Sequence, residues 1–379
     1  MTRLISARAA LLLVSLLACT GCVPDVAWLP DSSGIIYSAT DWPGMDPKAP
    51  AVNTGRLYLY DLAKGASRLI ADTDTRTIQP ALSPDGKRIA VARLNMTASP
   101  DPMLQVVVYD LVGKELQKTK AVKWGFSPRG EYSMEKFSQL FWAKTGNQVL
   151  IFANRHTGIW DLDADRVTSI GSAMPMIVGG SPQRPDGAGC LVVREDQSLA
   201  FVNWDGKPTA INLPADQIAG VHSSILHEMG VNCWTRWEGN DAILTWKHGQ
   251  LRINTAKHTA SYRNPDEAEW AWDGKEIQNV YTFPDGKTKV IVVFLKSYRD
   301  FRDAGLATVR VDFVSPEAGK SRTLIPETFH CGLYPSPDKK LVALRYVSMP
   351  DRTAADQYKD AIMVLDQAGN ARAAMERNK

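Results

Sequence analysis

The sequence predicts an all-β chain, a seven-bladed β-propeller of four-stranded antiparallel blades, on three observations. One phrase recurs: an apolar run, a turn written Pro-Asp-Gly or a close variant, and a second apolar run. Its best copies are Val26 to Ser38, Ala81 to Arg93, Val280 to Phe294 and Leu333 to Val347. The turns are evenly spaced. Their central residues, Asp31, Asp85, Thr145, Asp186, Gly239, Asp285 and Asp338, are separated by 54, 60, 41, 53, 46 and 53 residues, a period that suits a blade of four strands with its loops. Finally, the run after each turn is apolar at every position, as a sheet sandwiched between two others requires.

The chain opens with a short positive segment, Met1 to Arg8, and an apolar run, Ala9 to Ala18, which leads into Cys19-Thr20-Gly21-Cys22. Ten apolar-rich residues fall short of the roughly 20 needed to cross a bilayer as a helix, so residues 1–21 are expected to be an export signal. Small residues immediately before Cys22 make this segment resemble a bacterial lipoprotein signal. The resemblance implies that Cys22 is lipidated and begins the mature chain, with 22–24 as a tether and 25–379 as the propeller. It also implies a membrane-anchored protein of the cell envelope. Leu16-Leu17-Ala18-Cys19 is a competing site, with Cys19 standing where the family usually has Leu. Simple secretion after cleavage near Gly21 is the other alternative.

Each turn leads into a second strand: Ile35 to Tyr37, Ile89 to Val91, Val149 to Phe152, Cys190 to Val193, Ala242 to Leu244, Val290 to Phe294 and Leu341 to Leu344. Third strands are read at Leu57 to Leu62, Val106 to Leu111, Gly158 to Leu162 and Ile362 to Asp366. Asp61, Asp110, Asp161 and Asp366 stand at their ends, where an Asp side chain can initiate a hairpin. In Ser83-Pro84-Asp85-Gly86, Pro sets φ at the first turn position and Gly accepts the positive φ that closes the hairpin. Phe126 to Gly130 is a further turn of this type, too close to Thr145 to begin a blade of its own and read as a decorated loop. These turns resemble the WD-like repeats of TolB-type propellers, sharply in blades 1, 2, 6 and 7 and loosely in blades 3, 4 and 5. That resemblance implies architecture and no particular substrate.

Removing residues 1–21 takes away Arg3 and Arg8 and lowers the formal charge from +3 to +1. A nearly neutral surface gives no general attraction for nucleic acid, so the lipid is the expected link to the membrane. Cys190, Cys233 and Cys331 are odd in number and lack metal-site spacing. Each sits in an apolar run, as buried thiols do, although a Cys190 to Cys233 disulfide is an alternative. His222 and His227, with Glu228 and Cys233 nearby, lack the i, i+4 spacing of a helical zinc site. No nucleophile elbow, phosphate loop, dinucleotide fingerprint or zinc-protease motif is present. No catalytic residue, metal or cofactor is therefore assigned, and a monomer is expected.

Among the eleven Trp, Trp28, Trp142, Trp160, Trp234 and Trp246 read as core, whereas Trp270 and Trp272 either stack on a sugar or pack at a rim. Connections between second and third strands are long in blades 1, 2, 6 and 7: Ala39 to Asn53, Asn95 to Met103, Ser297 to Ala307 and Ser348 to Asp360. Rigidly held loops concentrate binding residues, and Arg with aromatics anchors interfaces. The candidate contacts are Trp42, Tyr298, Arg299, Phe301, Arg302 and Arg352. The functional expectation is a non-catalytic envelope scaffold that recognises a protein or glycan. The alternative is a propeller enzyme, a hydrolase or lyase acting on envelope or extracellular glycans.

Overall fold

The computed structural model describes residues 26–40, 55–73, 76–95, 103–123, 138–153, 156–171, 173–175, 181–194, 198–213, 234–246, 249–296, 308–316, 320–328, 331–348 and 359–376. They form a seven-bladed β-propeller: seven antiparallel sheets whose strands neighbour one another in chain order. Blade 1 is β1 (Val26–Trp28), β2 (Gly34–Thr40), β3 (Gly55–Asp61) and β4 (Ala66–Thr73). Blade 2 is β5 (Arg76–Leu82), β6 (Arg88–Asn95), β7 (Met103–Asp110) and β8 (Glu115–Lys118), with β9 (Val122–Lys123) also paired to β7. Blade 3 is β10 (Ser138–Trp142), β11 (Gln148–Ala153), β12 (His156–Asp161) and β13 (Arg166–Gly171). Blade 4 is β14 (Ala173–Pro175), β15 (Gly189–Arg194), β16 (Leu199–Asn203) and β17 (Pro208–Ala210).

Blade 5 is β18 (Trp234–Glu238), β19 (Asp241–Trp246), β20 (Gly249–Asn254) and β21 (Thr259–Arg263). A single helical turn, α1 (Glu267–Trp270), leads into blade 6: β22 (Ala271–Trp272), β23 (Lys275–Thr282), β24 (Lys289–Lys296), β25 (Thr308–Ser315) and β26 (Lys320–Thr328). Blade 7 is β27 (Cys331–Pro335), β28 (Leu341–Ser348), β29 (Lys359–Asp366) and β30 (Ala371–Glu376). Blades 2 and 6 each carry a fifth, two-residue strand beyond the expected four. Two compact units hold these sheets. Val23–Met174 with Cys331–Lys379 carries blades 7, 1, 2 and 3, and Pro175–His330 carries the body of blades 4, 5 and 6.

All seven turn centres expected from the repeat lie between the first two long strands of their blades, and every expected second strand is present. Backbone chemistry explains the turns. In blade 2, the Ser83 hydroxyl donates to Asp85 Oδ1 at 2.5 Å and accepts from the Arg88 N–H at 2.9 Å. Asp85 Oδ1 also accepts from the Lys87 N–H at 3.1 Å, and Gly86 takes φ +69°. Blade 7 repeats the arrangement with Ser336, Asp338 and Lys340, although a non-glycine residue, Lys339, adopts φ +59°. The serine hydroxyls hold the Asp85 and Asp338 carboxyls below their usual range. At the opposite hairpin, Asp61, Asp110, Asp161 and Asp366 each accept one or more backbone N–H groups from the turn they begin, which is the reason Asp ends those strands.

Burial follows from the two-sided sandwich. Along β2, Ile35 packs in a cluster with Ala343, Ile362 and Val364 of blade 7. Ile36, pointing the other way, packs with Ile89, Val91 and Val107 of blade 2. Ala90 and Ala92 of β6 then turn their opposite face to Leu140, Trp142 and Trp160 of blade 3. The same logic joins Leu191 and Phe201 of blade 4 to Leu244 and Trp246 of blade 5. A fully buried Ile contributes about 1.5–3 kcal/mol, and each of these has a face to bury only because a neighbouring blade is there.

A second tie between blades comes from tryptophan. Trp28 of blade 1 donates its indole N–H to the Tyr334 carbonyl of blade 7 at 2.8 Å. Trp142 of blade 3 donates to the Ala81 carbonyl of blade 2 at 2.8 Å, and Trp237 of blade 5 donates to the Ser181 carbonyl in blade 4 at 2.9 Å. In each case the Trp precedes the first turn of its blade and reaches the inner strand, or the segment leading into the turn, of the blade before. Trp28, Trp142, Trp160 and Trp246 are buried as expected, while the side chain of Trp234 lies outside the described residues.

Candidate functional site

Every blade has a short-turn edge, where its first hairpin closes, and an opposite edge, where its second strand passes to its third. Lengths at that opposite edge divide the blades. The connection spans two residues in blade 3 (154–155), four in blade 4 (195–198) and two in blade 5 (247–248). It spans 14 in blade 1 (41–54), seven in blade 2 (96–102), 11 in blade 6 (297–307) and ten in blade 7 (349–358). Blades 7, 1 and 2 are consecutive neighbours within one compact unit, so three of the four long connections spring from adjoining sheets. Blade 6 belongs to the other unit.

The candidate residues Trp42, Tyr298, Arg299, Phe301, Arg302 and Arg352 all fall in these connections and lie outside the described residues. So do the lipidation candidates Cys22 and Cys19, the His222 to Cys233 segment and the decorated loop 126–130. What the structure places is the frame around them: Thr40 paired with Gly55, Asn95 with Met103, Lys296 with Thr308 and Ser348 with Lys359.

Polar and aromatic groups brace that frame at blades 7 and 1. Arg345 of β28 has no solvent exposure; its guanidinium donates to the Ser38 carbonyl of β2 at 2.7 Å and lies 6.0 Å from the Tyr37 ring centroid. Tyr37 stacks on Tyr58 of β3, with centroids 5.5 Å apart and planes inclined by 17°, and its hydroxyl is 2.9 Å from Ser67 Oγ of β4. A buried arginine, two stacked rings and a hydroxyl pair thus run from the middle of blade 7's β28 across three strands of blade 1, ending at Ser67 near the short-turn end of β4. Charge buried this way holds only through its partners, so the Arg345 guanidinium fixes how blade 7 and blade 1 meet. In blade 2, Arg93 and Glu115 form an ion pair at 3.3 Å, and Gln105 donates to the Thr119 carbonyl at 2.7 Å.

The second unit shows where other singled-out residues went. Trp272 is half-buried and donates its indole N–H to Asp312 Oδ2 at 3.1 Å. Buried Asp312 also accepts from Arg310 at 2.7 and 3.0 Å and from Thr323 at 2.9 Å. Trp272 is therefore engaged in rim packing, with its polar atom already committed, and Trp270 beside it is half-buried at the end of α1. Glu269 of α1 accepts from Arg263, from the Asp266 N–H and from Gln250. The Arg263 hydrogen bond is the main cause that holds its carboxyl down at about 2.

Cys190 and Cys331 are both buried free thiols, so the disulfide alternative for Cys190 does not occur in this structure. Burial pushes both thiols up, away from the reactive thiolate. Among the described residues no group of three or more His, Cys, Asp and Glu side chains could hold a metal ion.

No family model matches the chain, and no curated protein matches it. Solved structures do. A prolyl endopeptidase is 12% identical with a TM-score of 0.55, over 98% of this chain and 52% of that one. TolB from Acinetobacter baumannii is 12% identical with a TM-score of 0.43, over 96% of this chain and 65% of that one. The Cps50 (Swd1) β-propeller domain of Myceliophteria thermophila is 12% identical with a TM-score of 0.45, over 80% and 89%. At such identity the endopeptidase likeness speaks to fold alone, and this chain spans about half of that protein's length. The chain is a seven-bladed β-propeller, and its long second-to-third connections belong to blades 1, 2, 6 and 7.

Proposed function

We propose that this chain is a lipid-anchored β-propeller of the bacterial cell envelope that acts as a non-catalytic scaffold, recognising an envelope protein or glycan through the long connections of blades 6, 7, 1 and 2. Cys22 carries the lipid, and Trp42, Tyr298, Arg299, Phe301, Arg302 and Arg352 are the contacts. One observation carries the reading: connection length is sharply unequal around otherwise equivalent blades. Four connections of seven to 14 residues stand against three of two to four. Two residues suffice to join antiparallel strands, so the extra length has no role in closing the hairpins. Loops of this length on a rigid scaffold are where recognition residues concentrate.

The supporting frame is suited to the task, since Arg345 ties blade 7 to blade 1 and the Tyr37–Tyr58 stack joins two strands of blade 1, the two blades from which two of these connections spring. The test is affinity capture from detergent-solubilised envelopes, comparing the wild type with a triple Arg299→Ala, Phe301→Ala, Arg302→Ala variant. Capture should be lost in the variant while its melting temperature stays within about 2 °C, because substitutions in a connection that the sheets do not need change stability little. Undiminished capture would refute the assignment of these contacts. Turnover of an envelope glycan by the purified chain would refute the non-catalytic reading.

A further inference from the structure

Blades 7, 1, 2 and 3 lie in one compact unit, and of the three contacts between them the one joining blade 7 to blade 1 is built differently. Blade 1 is formed from residues 26–73 and blade 7 from 331–376, and among the described residues they share no strand. The chain passes directly from blade 1 into blade 2 and from blade 2 into blade 3, whereas between blades 1 and 7 it runs through the other five. The backbones also approach along fewer strands. β5 packs along β1, β2 and β3, and β10 along β5 and β6, but blade 7 meets blade 1 through β27 and β1.

Beside an apolar cluster, three hydrogen bonds fasten this seam. Trp28 donates to the Tyr334 carbonyl at 2.8 Å, the Asp338 N–H donates to Ser32 Oγ at 3.4 Å, and Arg345 donates to the Ser38 carbonyl at 2.7 Å. The repeat shows what is unusual here. Ala90 and Ala343 each stand five residues after the turn carboxylates Asp85 and Asp338, wholly buried and facing the next blade. Two residues further on, blade 2 has Ala92 in the apolar cluster with blade 3, and blade 7 has the buried guanidinium of Arg345. Parting blades 2 and 3 exposes only apolar surface at this position. Parting blades 7 and 1 returns water to a charge, which offsets part of the loss. With no direct chain link to limit how far these two blades separate, the open state also keeps more freedom.

We infer that the seam between blades 7 and 1 opens on its own, with both sheets intact, while blades 1, 2 and 3 stay together. Opening carries β28 away from β2, the strands that lead into two of the long connections, so it is a conformational device that changes the spacing across the frame. The inference rests on neither the lipid nor the contact residues proposed above.

Thiol labelling of the full-length protein tests it. Ala343→Cys places a reporter in the seam, and Ala90→Cys places one at the same repeat position between blades 2 and 3. Iodoacetamide is added under native conditions, and peptide mass mapping follows each position separately from the native cysteines. Position 343 should be labelled at least about tenfold faster than position 90, with a shallower dependence on urea, because opening exposes less surface than global unfolding. Val364→Cys and Val108→Cys, which pair with Ala343 and Ala90 on the next strands, repeat the comparison if either alanine variant fails to fold.

Trp142→Phe removes the indole donor to the Ala81 carbonyl between blades 2 and 3, a contact that survives opening of the seam. It should speed labelling at position 90 about two- to tenfold and leave position 343 unchanged. Equal rates and equal urea slopes at the two positions would overturn the inference. So would acceleration of both by Trp142→Phe, since position 343 would then be reached only through unfolding of the whole unit.

Discussion

Two glycines with the same backbone conformation separate the cost of a turn from the cost of the contact between blades. Gly86 of blade 2 has φ +69° and Gly286 of blade 6 has φ +71°. A Cβ built on Gly286 meets nothing within 4 Å, whereas one built on Gly86 comes within 2.7 Å of Pro30 Cγ and Cδ in the first turn of blade 1. Gly286→Ala therefore carries only the left-handed penalty of an L-residue, about 1–2 kcal/mol. Gly86→Ala carries the same penalty and also forces Pro30 away, an overpacking cost of about 1–3 kcal/mol. Urea unfolding followed by tryptophan fluorescence should show Gly86→Ala lowering the midpoint more than Gly286→Ala, with slopes unchanged. Equal shifts, or a larger one for Gly286→Ala, would refute the claim that neighbouring turns are packed on one another.

Three further expectations follow from the same geometry. Lys339 holds φ +59° without being glycine, so Lys339→Gly should stabilise the fold by about 1 kcal/mol, read as a higher urea midpoint. At the meeting of blades 7 and 1, Arg345→Ala removes a wholly buried guanidinium from the Ser38 carbonyl and should cost about 3–5 kcal/mol; a loss below about 1 kcal/mol would show that the contact does not hold these blades together. Glu269 titrates at about 2 against an ordinary 4.5. A depressed carboxyl contributes its stability above the unfolded value and loses it as pH falls through about 4.5 toward 2. Because Arg263 is half exposed, screening leaves about 1 kcal/mol. Glu269→Gln should flatten the acid limb of the stability profile by that amount, and an unchanged limb would contradict the pairing.

Much of this fold was legible because propeller turns are local chemistry. Ser83-Pro84-Asp85-Gly86 declares its own hydrogen bonds, and the apolar runs after each turn announce two buried faces. Blades 1 and 7 were legible for a subtler reason. Ser32 and Lys339 take the left-handed position without glycine, and the preceding Asp31 and Asp338 carboxylates accept from backbone N–H groups two residues on.

The extra strands β9 and β22 and the helical turn α1 escaped notice because two- to four-residue elements have no periodicity to read. The indole ties were visible only in half. Trp28, Trp142 and Trp237 stand just before their turns, but their carbonyl partners are 306, 61 and 56 residues away in sequence. Arg345 gave no signal, since a lone arginine in an apolar strand looks like an exposed position until the neighbouring blade is in place. The candidate site was legible as loop length and composition. Its six candidate residues lie outside the described residues, and only the strands that flank them are seen.

Hydrogen–deuterium exchange on the propeller alone and in complex with its captured partner tests the central proposal most directly. Recognition through the long connections predicts new protection in peptides covering 41–54, 96–102, 297–307 and 349–358, with the short-turn segments around Asp85, Asp186 and Asp285 unchanged. Protection centred on those short turns, or on the two-residue connections of blades 3 and 5, would contradict it.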